Sequence, residues 1–339
     1  MNHKSSTKTE IIAEIGQAHD GNIGIAHSYI DAVAKTGADA IKFQTHIAHA
    51  ETTPHEPWRV KFSSQDKTRY DYWKRMEFSE EQWHELKSHA TEQDLLFISS
   101  AFSLEAVELL KHVGVYAWKI ASGEVNNTEI LDAIAETRLP VYLSTGMSTI
   151  SEIDRNVDII RSKDLPVIVL QCTSMYPTPV DKIGLNMIDF FRERYLTPVG
   201  LSDHSGRIYT GYAAATMGID VLEIHVTHSK ELLGPDVSSS ITVDDLADLV
   251  DGIRFIEKLK DHKVDKDTIA KELQHMRDLF TKSIVYITNL ERGTILERNH
   301  LCFKKPGIGV EPLNIQNVIG KELIKPVKAD SLLSMDDLK

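Results

Sequence analysis

Eight short apolar runs, each followed by a stretch of helical period, constrain this 339-residue chain more than any other feature. From Ser79 onward the alternation is regular. A helix opening at Ser79 with Glu81 and Gln82 in its first turn runs to about Gln93 and leads into Leu95–Ser100. The runs Tyr116–Ala121, Pro140–Gly146, Pro166–Cys172, Thr197–Ser202 and Asp220–Thr227 follow, with helices between them and a last one over Val243–Lys260. Upstream, Ile11–Gly16 and Ala40–Thr45 flank a helix over Gly24–Thr36 whose apolar stripe is Ile25, Tyr29, Ile30 and Val33. Eight βα units in series match the order and the ~250-residue length of a TIM barrel, whose functional groups lie at the C-terminal ends of its strands.

That topology gathers residues far apart in the chain. The strand ends carry Glu14; Lys42 and Gln44; Ser99 and Ser100; Lys119, Ser122 and Glu124; Ser144 and Thr145; Thr173, Ser174 and Tyr176; Ser202 and His204; and Glu223 and His225. A single serine there reads as a turn residue, but polar groups from nearly every strand point to one mouth. Two lysines among small hydroxyls suit a phosphate and a carboxylate, the ammonium being a compact point charge and the hydroxyls directional donors. His204 and His225 end neighbouring runs separated by one helix, so both imidazoles come out at the same end of the sheet. There they are placed to hold one divalent cation with positions left for water or substrate.

The net charge of −12 argues against nucleic acid as a partner, because phosphate neutralisation needs a basic face. Cys172 and Cys302 lie far apart, which suits a reducing cytosol, and no apolar run approaches membrane-spanning length. The polar start, Met1 to Glu10, reads as a loose leader rather than a signal peptide. The segment from His46 to Phe78 has no sustained period and contains Pro54 and Pro57, so it reads as a lid or binding loop; His46, His49 and His55 within it read as solvated rather than as metal ligands. The expected organisation is a barrel over 1–267, a linker helix within 268–282 and a small β-rich domain over 283–339 that leans on the barrel or on a second subunit.

The residues at these positions resemble the sialic acid synthase family. I-A-E-I-G at Ile12 to Gly16, G-A-D-A-I-K-F-Q-T at Gly37 to Thr45, K-I-A-S-G-E at Lys119 to Glu124, L-S-T-G-M at Leu143 to Met147, C-T-S-M-Y-P-T-P at Cys172 to Pro179, G-L-S-D-H at Gly200 to His204 and G-P-D at Gly234 to Asp236 occur in the family's order over essentially the whole chain. The resemblance implies a TIM barrel joined to a C-terminal antifreeze-like (SAF) domain, and condensation of phosphoenolpyruvate with an N-acylated hexosamine of the N-acetylmannosamine type to a nine-carbon sialic-type acid plus phosphate. It implies phosphoenolpyruvate on Lys42, Ser100, Lys119, Ser122, Ser144, Ser174 and Ser202. The sugar would meet Glu14, Gln44, Glu124, Tyr176 and Asp236, with Lys305 reaching in from a partner subunit of a domain-swapped homodimer. Manganese or magnesium would sit on His204 and His225. The chain departs from the family's pattern at Gln171, where histidine is usual, at Ile224, where lysine is common, and at Lys305, which replaces an arginine's planar fork with a point charge.

Within that chemistry Glu124 is the expected proton-transfer group, Glu14 supports the sugar hydroxyls, and Lys42 and Lys119 position and neutralise the phosphate and carboxylate. A legionaminate- or pseudaminate-type synthase taking a 2,4-diacetamido-trideoxyhexose is the alternative within enzymes. A catalytically silent barrel that binds without turnover is the alternative outside them.

Overall fold

The computed structural model describes residues 8–339. Eight parallel strands, β1 (Glu10–Gly16), β2 (Ala40–Thr45), β3 (Leu96–Ala101), β4 (Trp118–Ile120), β5 (Val141–Ser144), β6 (Val167–Cys172), β7 (Val199–Asp203) and β8 (Val221–Thr227), pair in chain order. β8 pairs back onto β1, which closes the sheet into a TIM barrel with helices on its outside. A short β9 (Ile241–Thr242), unexpected from the sequence, pairs in parallel with Val226 and Thr227 at the end of β8.

Strand periodicity decides which residues reach the interior. Successive side chains point to opposite faces, so Ile12, Ala40, Ile98, Ala117, Tyr142 and Val221 pack together inside the barrel, while Ile11, Ile41, Phe97, Trp118, Leu143 and Leu222 pack against the helices. Each fully buried large apolar side chain contributes roughly 1.5–3 kcal/mol to that double-sided core. Two residues further along each strand, the inward position changes character. Glu14 follows Ile12, Lys42 follows Ala40, Ser100 follows Ile98, Lys119 follows Ala117, Ser144 follows Tyr142 and Glu223 follows Val221. The barrel is thus apolar below and polar above, and the ladder registers Glu14↔Lys42, Glu14↔His225, Ser100↔Lys119 and Ser202↔Glu223 set those polar groups side by side. Gly200 lets β7 approach its neighbours: a Cβ there would meet Leu170 Cδ2 at 2.6 Å and also strike the carbonyl oxygen of Val221.

Local signals hold in detail. Ser79 caps helix Glu80–Glu92 through a capping box in which its hydroxyl accepts from Gln82 N at 3.3 Å and its own N–H donates to Gln82 Oε1 at 2.9 Å. The first barrel helix runs Ile23–Ala34 with Asn22 as its cap, earlier than the start expected at Gly24. The segment after β2 is folded rather than loose. Helices Ala48–Glu51 and Arg69–Met76 enclose an aromatic cluster of Tyr72, Trp73 and Met76 with Trp58, Phe62 and Tyr70. The expected leader is corrected at its end: Glu10 begins β1, and its carboxylate accepts from the Tyr142 hydroxyl at 2.6 Å; residues 1–7 of that leader lie outside the described residues.

The chain divides into two compact units between Asp261 and His262, ahead of the expected barrel end at Asp267. The linker helix expected over Thr268–Phe280 is two helices, Lys266–Glu272 and Gln274–Phe280, parted at Leu273. The second unit contains an antiparallel pair, β10 (Ser283–Tyr286) and β11 (Leu301–Lys304), and has its own core around Ile284, Tyr286, Leu296, Leu301 and Leu323. Among the described residues no helix is long and apolar enough to cross a membrane.

Candidate active site

The C-terminal ends of the strands open into a cavity of about 460 Å³. All the barrel residues singled out above as ligands line it: Glu14, Lys42, Gln44, Ser100, Lys119, Ser122, Glu124, Ser144, Ser174, Tyr176, Ser202, His204, His225 and Asp236. Ser99, Thr145 and Thr173 belong to the framework instead. Ser99 Oγ donates to Phe43 O at 3.1 Å, Thr145 Oγ1 to Leu170 O at 3.0 Å and Thr173 Oγ1 to Lys182 O at 2.7 Å. Lys305 lies in the second unit, where its ammonium sits 5.0 Å from the centre of the Phe280 ring.

The cavity floor is a network of buried charges. Lys42 Nζ donates to Glu14 Oε2 at 2.6 Å and lies 3.8 Å from Glu223 Oε2; Lys119 Nζ donates to Ser144 Oγ at 2.7 Å and lies 3.3 Å from Glu223 Oε1. Ser202 Oγ also donates to Glu223 Oε1, at 3.0 Å. Burial opposes the charge on Glu223, but the ammonium groups of Lys119 and Lys42 outweigh it and hold its carboxyl below the usual range. Burial likewise opposes the charge on Lys42, and Glu14 and then Glu223 reverse the balance, keeping it protonated. Glu223 Oε2, although buried, accepts no hydrogen bond among the described residues. A buried acceptor in that state is costly and marks a place where a ligand or water completes the network.

Beside the lysines a cradle of small groups surrounds Gly146, whose N–H donates to Ser122 Oγ at 3.1 Å. A Cβ at Gly146 would stand 2.6 Å from that oxygen and 2.8 Å from Cys172 Sγ, so only glycine keeps this corner open. Glu124 is partly buried and hydrogen-bonded by Asn127 Nδ2 at 2.9 Å; burial raises its carboxyl above the ordinary range, and the Asn127 bond offsets part of the effect.

His204 and His225 face each other with ring centroids 5.2 Å apart. His204 Nδ1 lies 3.0 Å from Thr173 O, which leaves its Nε2, and His225 has no hydrogen bond among the described residues. Burial lowers the His225 pKa and favours the neutral imidazole that a metal requires. His204 differs: burial opposes its charge, but Cys172 Sγ, 3.9 Å from its Nδ1, and the Thr173 carbonyl raise its pKa to about 9, so a cation bound through Nε2 would displace a proton from that ring. The pair fits a divalent cation as two nitrogen donors on those terms. Among the described residues no third histidine, cysteine, aspartate or glutamate completes a cluster, so oxygen from water or substrate would fill the remaining positions. Tyr176 stacks on His204 at 4.3 Å, and Arg59 lies 4.2 Å over the Tyr176 ring while donating to Asp236 Oδ1 at 2.6 Å.

Several lining residues were not among those singled out. Glu223 stood in the strand-end series without a role, and its inward position two residues before His225 was the available signal. Arg59, Gln17 and Glu51 gave no signal, because the loops that carry them have no period to place them. His46 corrects the expectation of a solvated loop: it is 5% exposed, lines the cavity, and has one ring nitrogen 2.7 Å from Glu51 Oε1 and the other 2.7 Å from Gln17 Nε2. His49 and His55 are exposed and do not line it. Two of the three departures from the family's pattern, Ile224 and Gln171, do not line the cavity. Ile224 points outward into the strand–helix core, and Gln171 Nε2 donates to Ile183 O at 2.9 Å.

A closed (β/α)8 barrel with paired lysines, paired histidines and titratable carboxylates at its mouth defines a barrel enzyme. The sequence profile of the NeuB family matches residues 29–265 and that of the SAF domain residues 281–339. The chain belongs to the NeuB family, the sialic acid synthases, and ends in a SAF domain. It is 31% identical over 332 residues to the N,N'-diacetyllegionaminic acid synthase of Campylobacter jejuni, covering 96% of this chain and 99% of that one. It is 31% identical over 334 residues to the human N-acetylneuraminate-9-phosphate synthase, covering 97% and 92%. A solved N-acetylneuraminic acid (sialic acid) synthetase from Leptospira borgpetersenii serovar Hardjo-bovis, in complex with citrate, superposes with a TM-score of 0.70 at 31% identity, over 80% of this chain and 92% of that one.

Proposed function

We propose that the cavity condenses phosphoenolpyruvate with the open-chain form of a neutral N-acylated hexosamine, giving a nine-carbon 2-keto-3-deoxy acid and inorganic phosphate. The observation that carries this reading is the floor itself: two buried ammonium groups held apart by one carboxylate, beside serines that surround a glycine corner. Lys42, Ser100, Lys119, Ser122, Ser144, Ser174 and Ser202 hold the phosphate and carboxylate. Glu14, Gln44, Glu124, Tyr176 and Asp236 meet the sugar.

In the reaction, C3 of phosphoenolpyruvate forms a bond to the aldehyde carbon, whose oxygen takes a proton. C2 is left electron-poor, a water oxygen adds there and releases a proton, and the C2–O bond to phosphate breaks as the ketone forms. Glu124 supplies the proton to the aldehyde oxygen or takes the one from water; its raised pKa brings the proton-bearing form closer to neutral pH. Lys42 and Lys119 neutralise the phosphate before and during its departure. Glu14 is fixed between Lys42 and Gln44, each at 2.6 Å, and accepts from sugar hydroxyls. His204 and His225 would hold manganese or magnesium, which when bound supplies Lewis-acid polarisation of the aldehyde.

The sugar end of the cavity supports a neutral, partly apolar substrate. Glu51, Glu56, Glu124 and Asp236 line it, while Arg59 is engaged by Asp236 at 2.6 Å and Arg69 by Glu56 at 3.2 Å. A sugar phosphate, of the kind the name of the human relative's product suggests, would meet excess negative charge. Trp58, Phe62, Tyr72, Trp73 and Phe102 in the same wall favour a 2,4-diacetamido-trideoxyhexose as the second reading, since its methyl groups would cover aromatic surface.

The second unit is read as the SAF domain of a domain-swapped homodimer in which Lys305 of one subunit meets the sugar in the other. A cytoplasmic location follows from the same reading, phosphoenolpyruvate being an intracellular metabolite, with the two free thiols as further support. The deciding test is a phosphate-release assay with phosphoenolpyruvate, manganese and a panel of N-acylated hexosamines, followed by mass analysis of the product. No release with any aldose would overturn the reading.

A further inference from the structure

The loop after β2 sends one side chain into the cavity that the reaction above does not use. His46 is sandwiched between Trp73 (ring centroids 4.0 Å apart, 22° between planes) and Phe102 (4.5 Å, 12°), so its ring plane is fixed by packing. Its nitrogens are fixed by chemistry. Lys42 can only donate and meets Glu14 Oε2; Glu14 Oε1 then accepts from the amide nitrogen of Gln44 at 2.6 Å. That turns the carbonyl oxygen of Gln44 toward Gln17, which must present its amide nitrogen in return. The same nitrogen lies 2.7 Å from His46 Nε2, and the Gln44 oxygen, 3.3 Å from Nε2, closes the triangle. His46 Nε2 is therefore the acceptor, and its proton sits on Nδ1, donated to Glu51 Oε1 at 2.7 Å.

Read from the other end, Glu51 can only accept, and it dictates the same directions. Both hydrogens of the Gln17 amide are spent on this chain, and its carbonyl oxygen accepts no hydrogen bond among the described residues. Gln17 is 5% exposed and lines the cavity. We infer that Gln17 is a specificity-determining residue whose carbonyl accepts from an N–H or O–H of the sugar, and that His46 and Glu51 are positioning residues that hold its amide in that orientation. Without the pair, the Gln17 amide keeps only its bond to Gln44 Oε1 and can swing about it, which moves the carbonyl away from the substrate, and a site built around a hydrogen bond discriminates strongly when that bond is lost.

The inference rests on the reading of this cavity as a sugar site. The experiment is the phosphate-release assay applied to wild type, Glu51→Ala and His46→Phe, the latter keeping an aromatic ring between Trp73 and Phe102. The expected result is a sugar KM raised about tenfold or more in both variants, with the phosphoenolpyruvate KM and the melting temperature held. In the spectrum of protein carrying 15N-histidine, His46, assigned by its loss in His46→Phe, should show a protonated Nδ1 and a bare Nε2. Unchanged sugar KM in both variants, an Nε2-protonated His46, or both KM values rising together with a lower melting temperature would overturn the positioning role. Wild-type protein inert on every aldose would instead overturn the underlying function, so the two failures are distinct.

Discussion

The carboxylate of Glu223 on β8 reaches to 3.3 Å from the ammonium of Lys119 on β4, the strand on the far side of the barrel. With Lys42 on its other oxygen, Glu223 compensates two buried cations. Removing one member of a buried ion pair costs about 3–5 kcal/mol because the survivor is left uncompensated. Glu223→Gln should lower the melting temperature, and phosphoenolpyruvate or inorganic phosphate should restore part of the loss by supplying the missing negative charge. Thermal unfolding with and without each anion checks this; a loss that neither anion repairs would make Glu223 a structural residue only.

Among the described residues Lys119 has no carboxylate partner other than Glu223, and its hydrogen bond goes to Ser144. Lys119→Ala should reduce kcat/KM for phosphoenolpyruvate by about two orders of magnitude, some 2.7 kcal/mol of transition-state stabilisation, while the sugar KM holds. Steady-state kinetics with each substrate varied separates the two, and full retention of phosphate release would remove the phosphoenolpyruvate assignment.

Burial raises the Glu124 carboxyl pKa and the Asn127 bond opposes the rise. A group that must carry a proton to act loses activity as pH climbs through that raised pKa, so kcat should decline on the alkaline side from a midpoint above the ordinary carboxylate range. Glu124→Gln should be nearly inactive, and the residual rate should lack that limb. A wild-type limb that persists unaltered in the variant would assign it to another group.

The two imidazoles predict metal binding that does not depend on turnover. Dialysis against manganese, followed by elemental analysis, should find about one ion per barrel in the wild type and far less in His204→Ala or His225→Ala. Equal metal content in all three proteins would move the site elsewhere, and unchanged activity after exhaustive chelation would remove the metal from the reaction.

The acidic wall predicts a preference among sugars. A hexosamine bearing a phosphate should be a poorer substrate than its neutral counterpart, and Asp236→Asn, which frees Arg59 from its 2.6 Å ion pair, should narrow the difference. Comparing kcat/KM for the two sugars in both proteins tests it. A wild type that prefers the phosphorylated sugar would require another account of Glu51, Glu56 and Asp236.

The sequence by itself determined the barrel and most of its mouth. Period-two strands separated by helical stretches admit few arrangements, and a two-residue step from Ala40 to Lys42, or from Val221 to Glu223 to His225, says which face each side chain takes. Even the departures at Ile224 and Gln171 are explained by that rule or by a single framework hydrogen bond. The tertiary structure alone decided what strand period cannot encode. It placed Glu223 between lysines from two other strands, laid Arg59 across to Asp236, and drew His46 out of an apparently polar loop to lie between Trp73 and Phe102. Those positions depend on contacts between segments distant in the chain and on the closure of a ring. Local sequence carries a residue's direction along its own strand, but not the partner it will meet across the barrel.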